Sequence, residues 1–77
     1  MTAPDPTVGP WLAAFAERLG VAAPTEEEID LLLALAGVAA RGSARQAAPV
    51  ACWLAARAGI APAAALDAAR EVPPVGG

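Results

Sequence analysis

One segment near the middle of the chain has both a helix start signal and a helix stop signal. Thr25 followed by Glu28 has the form of a capping box, in which each side chain accepts a hydrogen bond from the other residue's amide. Glutamates fill the first turn, where the helix dipole favours negative charge, while Arg41 and Gly42 supply a cation and a left-handed stop at the other end. The sequence therefore predicts a central helix over residues 25–41.

The apolar residues of this helix occupy two stripes instead of one. The first stripe comprises Ile29, Leu32, Leu33, Ala36 and Ala40, and the second comprises Leu31, Leu35 and Val38. A surface this wide is more than one neighbouring helix covers, so we expect packing from several sides. Gly37 lowers helix stability by up to about 1 kcal/mol relative to Ala. We interpret it as room for the close approach of a neighbouring backbone.

Helical periodicity and turn residues predict three shorter helices around the central one. The four helices are expected at residues 8–19, 25–41, 49–58 and 62–71. Gly20 and Gly59 are the predicted stops of the first and third, and Pro49 is placed in the first turn of the third because proline is pre-organised there. No segment shows the alternating apolar and polar residues of a β-strand. The expected fold class is all-α, a single small bundle of four helices.

Domain limits and core follow from the same pattern. Residues 7–72 form the expected helical domain, between disordered tails at residues 1–6 and 73–77, where prolines or glycines replace periodicity. The large residues expected in the core are Phe15, Leu32, Leu33 and Leu54. Many other apolar residues are alanines, each of which buries little area.

Charge and residue usage exclude several classes of function. The chain of 77 residues has a formal net charge of −3, and its five basic residues are scattered arginines, so it lacks the basic face of a nucleic-acid-binding protein. Its longest apolar run is far shorter than the roughly 20 residues that span a bilayer. The first ten residues lack the features of a signal peptide. We expect a cytoplasmic protein with no cofactor and neither nucleic acid nor membrane as partner.

No residues form a recognisable catalytic or metal-binding pattern. Glu26, Glu27, Glu28 and Asp30 point in different directions on a helix and lack calcium-loop spacing, so we interpret them as a solvated helix start. Cys52 has no histidine to activate it, since the chain contains none, and is interpreted as a packed thiol. We expect no catalytic residue and no metal ligand, and therefore not an enzyme.

Two arginines and two tryptophans are the remaining candidates for binding. Arg41 and Arg45 flank the turn before the third helix, where free amides and guanidinium groups would hold a phosphate or carboxylate. Solvated arginines are the simpler interpretation. Trp11 and Trp53 are candidate interface residues, but the scarcity of large side chains favours core positions for both.

Several of these features together resemble a known family. They are Trp11, the leucine-rich second helix, the turn RQAAP at residues 45–49 and the pair Trp53 and Leu54. Over residues 10–70 the chain resembles a small bacterial family of all-α domains of unknown function. That family occurs alone or fused to nucleotidyltransferases of the molybdopterin-guanine dinucleotide biosynthesis protein A type. Its turn usually reads Arg-Pro-Ala-Ala-Pro followed by leucine and hydroxyl residues, whereas here Gln46 replaces the first proline and residues 50–52 are apolar.

The resemblance implies no activity, and the glycine-rich nucleotide loop of the transferases is absent from this sequence. Our first hypothesis is a non-catalytic accessory or interaction module, forming a homodimer or docking on a nucleotidyltransferase of molybdenum cofactor biosynthesis through Trp53. The alternative is a small-molecule or anion-binding regulatory domain that uses Arg41 and Arg45. A degenerate enzyme fragment is the weakest hypothesis, because the chain lacks His, Lys and Tyr.

Overall fold

The computed structural model describes residues 5–75 and contains four α-helices there. They are α1 (Val8–Leu19), α2 (Glu26–Gly42), α3 (Ala47–Ala58) and α4 (Pro62–Arg70). No strand occurs in this part of the chain. The all-α prediction is confirmed, and every helix end lies within two residues of its predicted position. Of the predicted tails at residues 1–6 and 73–77, residues 1–4 and 76–77 lie outside the described residues.

α2 is the central helix of the fold. Its capping box is formed, with the Glu28 amide donating to Thr25 Oγ1 at 3.1 Å and the Thr25 amide donating to Glu28 Oε1 at 2.8 Å. Leu35 is only 3% exposed and clusters with Ala65 and Leu66 of α4. Within residues 5–75 the extensive helix–helix contacts are those of α2 with α3 and of α2 with α4. α3 and α4 are therefore held together through α2.

Glycines end α1 and α3 as predicted. Gly20 and Gly59 both have a φ of 73°, in the left-handed region that favours glycine. After α1 the Val21 amide donates to the Ala16 carbonyl at 3.0 Å, which is the long hydrogen bond of a Schellman closure.

The end of α2 differs from the prediction. The left-handed stop expected at Gly42 is wrong, because Gly42 is the last residue of α2 and Ser43 is its cap. The Gly42 carbonyl accepts a hydrogen bond of 2.7 Å from the amide of Val75. Carbonyls in the last turn have no partner within their own helix. The chain after α4 thus returns to satisfy the end of α2, at residues that the sequence pattern assigned to a disordered tail.

α3 begins two residues before its predicted start. Ala47 and Ala48 form the first positions, and Pro49 is third. A proline is tolerated anywhere in the first turn because an amide there has no partner within the helix. The Ala47 and Ala48 amides instead donate to the carbonyls of Ala44 and Arg45, at 2.9 and 3.1 Å.

The predicted core is only partly correct. Leu32 packs against the buried cluster, as expected. Phe15, Leu33 and Leu54 were expected in the core, but they are exposed by 47%, 53% and 54%. Helical spacing shows which residues share a face but not which face meets a neighbour, and here small residues occupy much of the packed surface. The buried residues of the described chain are Ala16, Leu35, Ala65 and Leu66.

Candidate functional site

α3 turns its large apolar side chains away from α2. Its partly buried residues are all small, namely Ala47, Ala48, Ala51, Cys52 and Ala55. Val50, Trp53 and Leu54 lie on the opposite side at helical spacing and are 55%, 58% and 54% exposed. With Arg57, one turn further on, they form what we call the α3 ridge. An exposed surface of this kind is typical of a contact site for another macromolecule.

Arg57 covers part of the ridge. Its guanidinium carbon lies 5.1 Å from the centroid of a Trp53 ring, close enough for a cation–π interaction. The two residues are four apart, so they are neighbours on the helix surface. α3 contains no acidic residue, and its ridge therefore presents one cation among apolar groups.

A second apolar surface lies on α1. Trp11, Phe15 and Leu19, which we call the α1 stripe, are 63%, 47% and 59% exposed. The Trp11 and Phe15 rings contact each other, with centroids 5.2 Å apart and planes tilted by 33°. The sequence favoured core positions for both tryptophans, and this is wrong, because Trp11 and Trp53 are 63% and 58% exposed.

Sequence reasoning singled out Trp53 but missed its ridge neighbours. Val50 was not considered as an interface residue, and Leu54 was assigned to the core. The available signal was that α3 is apolar on both sides, while only its alanine side is small enough to lie closely against a crowded helix. A helix with two apolar faces needs two neighbours.

Arg41 and Arg45 were predicted to share an anion site at the turn before α3. A Cβ built on Gly37 would lie 3.0 Å from Nη1 of Arg41, so this guanidinium folds back along α2. Gly37 thus makes room for an arginine side chain, and not for a neighbouring backbone as predicted. Arg45 is exposed on the turn. Since the first two amides of α3 already donate to carbonyls of that turn, they are not free to bind the predicted anion, and only the guanidinium groups of the predicted site remain for it.

Cys52 has the packed environment predicted for it. Its Sγ lies 3.9 Å from the Leu32 carbonyl oxygen of α2, as a weak hydrogen-bond donor, and the residue packs against the buried cluster. It is one of the small residues that let α3 approach α2 closely. This position accounts for the cysteine without a catalytic role.

Five of the eight acidic residues lie near the starts of α1 and α2. An open cleft of about 340 Å³ lies there, lined in part by Asp5, Glu26 and Asp30. The Thr7 hydroxyl and amide donate to Asp5 Oδ1 at 2.6 and 2.8 Å and lower the pKa of that carboxyl below its ordinary value. Within residues 5–75 no three acidic, cysteine or histidine side chains are grouped so as to hold a metal ion.

No helix in the described part of the chain combines the length and apolar character needed to cross a bilayer.

Comparison with known proteins identifies the family. No curated protein and no solved structure matches the chain. A family model for a domain of unknown function, DUF6457, matches residues 3–74, which is nearly the whole sequence. This small all-α chain, with its central capped helix and two exposed aromatic surfaces, belongs to the DUF6457 family.

Proposed function

We propose that this chain is a non-catalytic helical interaction module and that the α3 ridge is its docking surface. The observation that carries the proposal is the orientation of α3, which packs its alanines inward and leaves Val50, Trp53 and Leu54 more than half exposed. Tryptophan and arginine are the residue types most often found as energetic anchors of protein interfaces. In the ridge, Trp53 and Arg57 provide both types.

The resemblance in sequence supports a place for this module in molybdenum cofactor biosynthesis. Similar bacterial domains occur fused to nucleotidyltransferases of the molybdopterin-guanine dinucleotide type, and fusion keeps two domains that work together at a high effective concentration. A separate chain needs a docking surface to achieve the same proximity. We therefore infer that the partner is a protein of the bacterial cytoplasm, either such a transferase or a second copy of this chain.

Residue usage supports a role without catalysis. The chain has no histidine, no tyrosine and no lysine, which are common general acids, bases and nucleophiles. Its single cysteine is packed against α2. Binding through an apolar surface requires none of these groups.

Titration of the purified transferase with the full chain tests the proposed function, alongside a measurement of self-association. Trp53→Gln should weaken whichever association the parent shows by roughly thirtyfold, as expected for an interface anchor. Ala64→Gln, on the exposed side of α4, is the matched control and should leave it unchanged. The proposal fails if the parent chain forms neither association, or if both variants behave alike.

A further inference from the structure

We propose that the α3 ridge packs against the same ridge of a second copy of this chain, in an antiparallel pair related by a twofold axis. This inference rests on the proposed function, because it names the partner of the same docking surface. Three observations support the antiparallel pair: the exposed area of the chain, the order of residues along the ridge and the charge of α3.

The exposed area is larger than that of a complete small fold. The accessible surface of the chain is 5955 Å². A folded monomer of 7.6 kDa exposes about 4,300 Å². The excess of roughly 1,600 Å² exceeds the about 800 Å² that each partner contributes to a standard interface. Burial of the α3 ridge by a second copy therefore fits within the excess, and the α1 stripe and the exposed segments at residues 5–7 and 71–75 contribute to what remains.

The ridge residues are arranged symmetrically about the point between Trp53 and Leu54. Val50 precedes Trp53 by three residues, and Arg57 follows Leu54 by three. In an antiparallel pair with its axis at this point, Trp53 lies opposite the partner's Leu54, and Val50 lies opposite the partner's Arg57. The point is also within about one residue of the middle of α3 (Ala47–Ala58), so the whole helix takes part in the contact.

The charge of α3 selects this orientation. A parallel pair would place the two Arg57 side chains side by side, and α3 has no acidic residue to neutralise them. An antiparallel pair separates them by about 10 Å along the axis. It also lays the aliphatic part of Arg57 on the partner's Val50 while the guanidinium reaches solvent. Twofold dimers are the commonest assembly of identical chains.

Sedimentation equilibrium of the full chain, from low micromolar to millimolar concentration, tests the pairing. The mass should rise from 7.6 kDa towards twice that value. Trp53→Gln should weaken association by roughly tenfold or more without loss of helical circular dichroism, because the side chain is more than half exposed in the single chain. Trp11→Gln is the matched control on the α1 stripe and should still dimerise.

A charge substitution at Val50 tests the antiparallel register. Val50→Arg should weaken the dimer because it sets two cations opposite each other, whereas Val50→Glu should preserve or strengthen it by pairing with the partner's Arg57. The double variant with Val50→Arg and Arg57→Glu should restore association. Equal weakening by Val50→Glu and Val50→Arg would overturn the antiparallel arrangement.

Two further outcomes would overturn the inference. One is a strictly monomeric mass at every concentration. The other is a dimer that survives Trp53→Gln but is lost with Trp11→Gln, which would place the contact on the α1 stripe. A monomeric chain that still binds the purified transferase through Trp53 would reject the second copy as partner and leave the proposed function standing.

Discussion

α3 and α4 pack against the same central helix with opposite patterns. α4 directs its large residue inward, with Leu66 only 6% exposed, and presents Asp67 and Arg70 to solvent as an ion pair of 4.0 Å. α3 directs small residues inward and presents Val50, Trp53 and Leu54 outward. Both helices pack an apolar side against α2, but α3 has a second apolar side that faces solvent.

The difference separates two uses of apolar residues in one small domain. Those of α4 stabilise the fold by leaving water when the chain folds. Those of the α3 ridge remain in contact with water in the single chain, and under the proposed function they contribute to association. The alanines of α3 let it approach α2 closely, while its larger side chains face solvent.

The largest expected effect distinguishes the two helices directly. Leu66→Ala should lower the free energy of unfolding by about 2 to 5 kcal/mol, because it removes a buried side chain and leaves a cavity. Leu54→Ala should change it by less than about 1 kcal/mol when the chain is monomeric, since the residue is largely exposed. Urea unfolding at low protein concentration measures both. Similar losses for the two variants would show that α3 buries its outer face.

A smaller effect is expected from enlarging the inner face of α3. Ala55 packs against the buried cluster, so Ala55→Leu should destabilise the fold by about 1 to 3 kcal/mol through overpacking. Ala56 is the exposed neighbour, and Ala56→Leu should stay within about 0.5 kcal/mol of the parent. Thermal unfolding of the pair checks the result. A stabilised Ala55→Leu variant would mean that α3 and α2 are loosely packed.

Replacing glycine with alanine should lower the stability of the fold at the end of α3 and raise it on the surface of α2. Gly59→Ala should destabilise by about 1 kcal/mol, since its φ of 73° is unfavourable for any residue with a Cβ. Gly37→Ala should stabilise by about 0.5 to 1 kcal/mol, because the new Cβ displaces only the mobile end of Arg41. Changes of the same sign in the two melting temperatures would contradict the different roles assigned to these glycines.

The smallest effect concerns the anion-binding alternative at the start of α3. A phosphate bound by Arg41 and Arg45 would raise the unfolding free energy by about 0.4 kcal/mol when its concentration equals the Kd, and by about 1.4 kcal/mol for each tenfold increase well above the Kd. Arg45→Ala should abolish such a shift, while Arg70→Ala on α4 should not. Melting temperatures measured across a phosphate series, at constant ionic strength, check this. No rise across the series, or the same rise in the parent and in Arg45→Ala, would remove the alternative.

Local sequence signals predicted the positions of the helices well. They did not show which face of each helix packs against a neighbour. The capping box at Thr25 and the stops at Gly20 and Gly59 depend on residues close in sequence, and all of them are formed. The hydrogen bond from the Val75 amide to the Gly42 carbonyl joins residues that are distant in sequence, so no local sequence pattern predicts it. Leu54 was assigned to the core because large apolar residues usually lie there. The closer packing of alanines on the other side of α3 reversed that expectation.

The exposure of Trp53 in solution tests the central claim most directly. In the full chain carrying Trp11→Phe, Trp53 is the remaining tryptophan, so acrylamide quenching of fluorescence reports on the α3 ridge alone. The account predicts that Trp53 is readily quenched in the dilute monomer and becomes protected as concentration rises, in step with the increase in mass. Efficient quenching at all concentrations, even after addition of the transferase, would contradict the claim that this ridge is a docking surface.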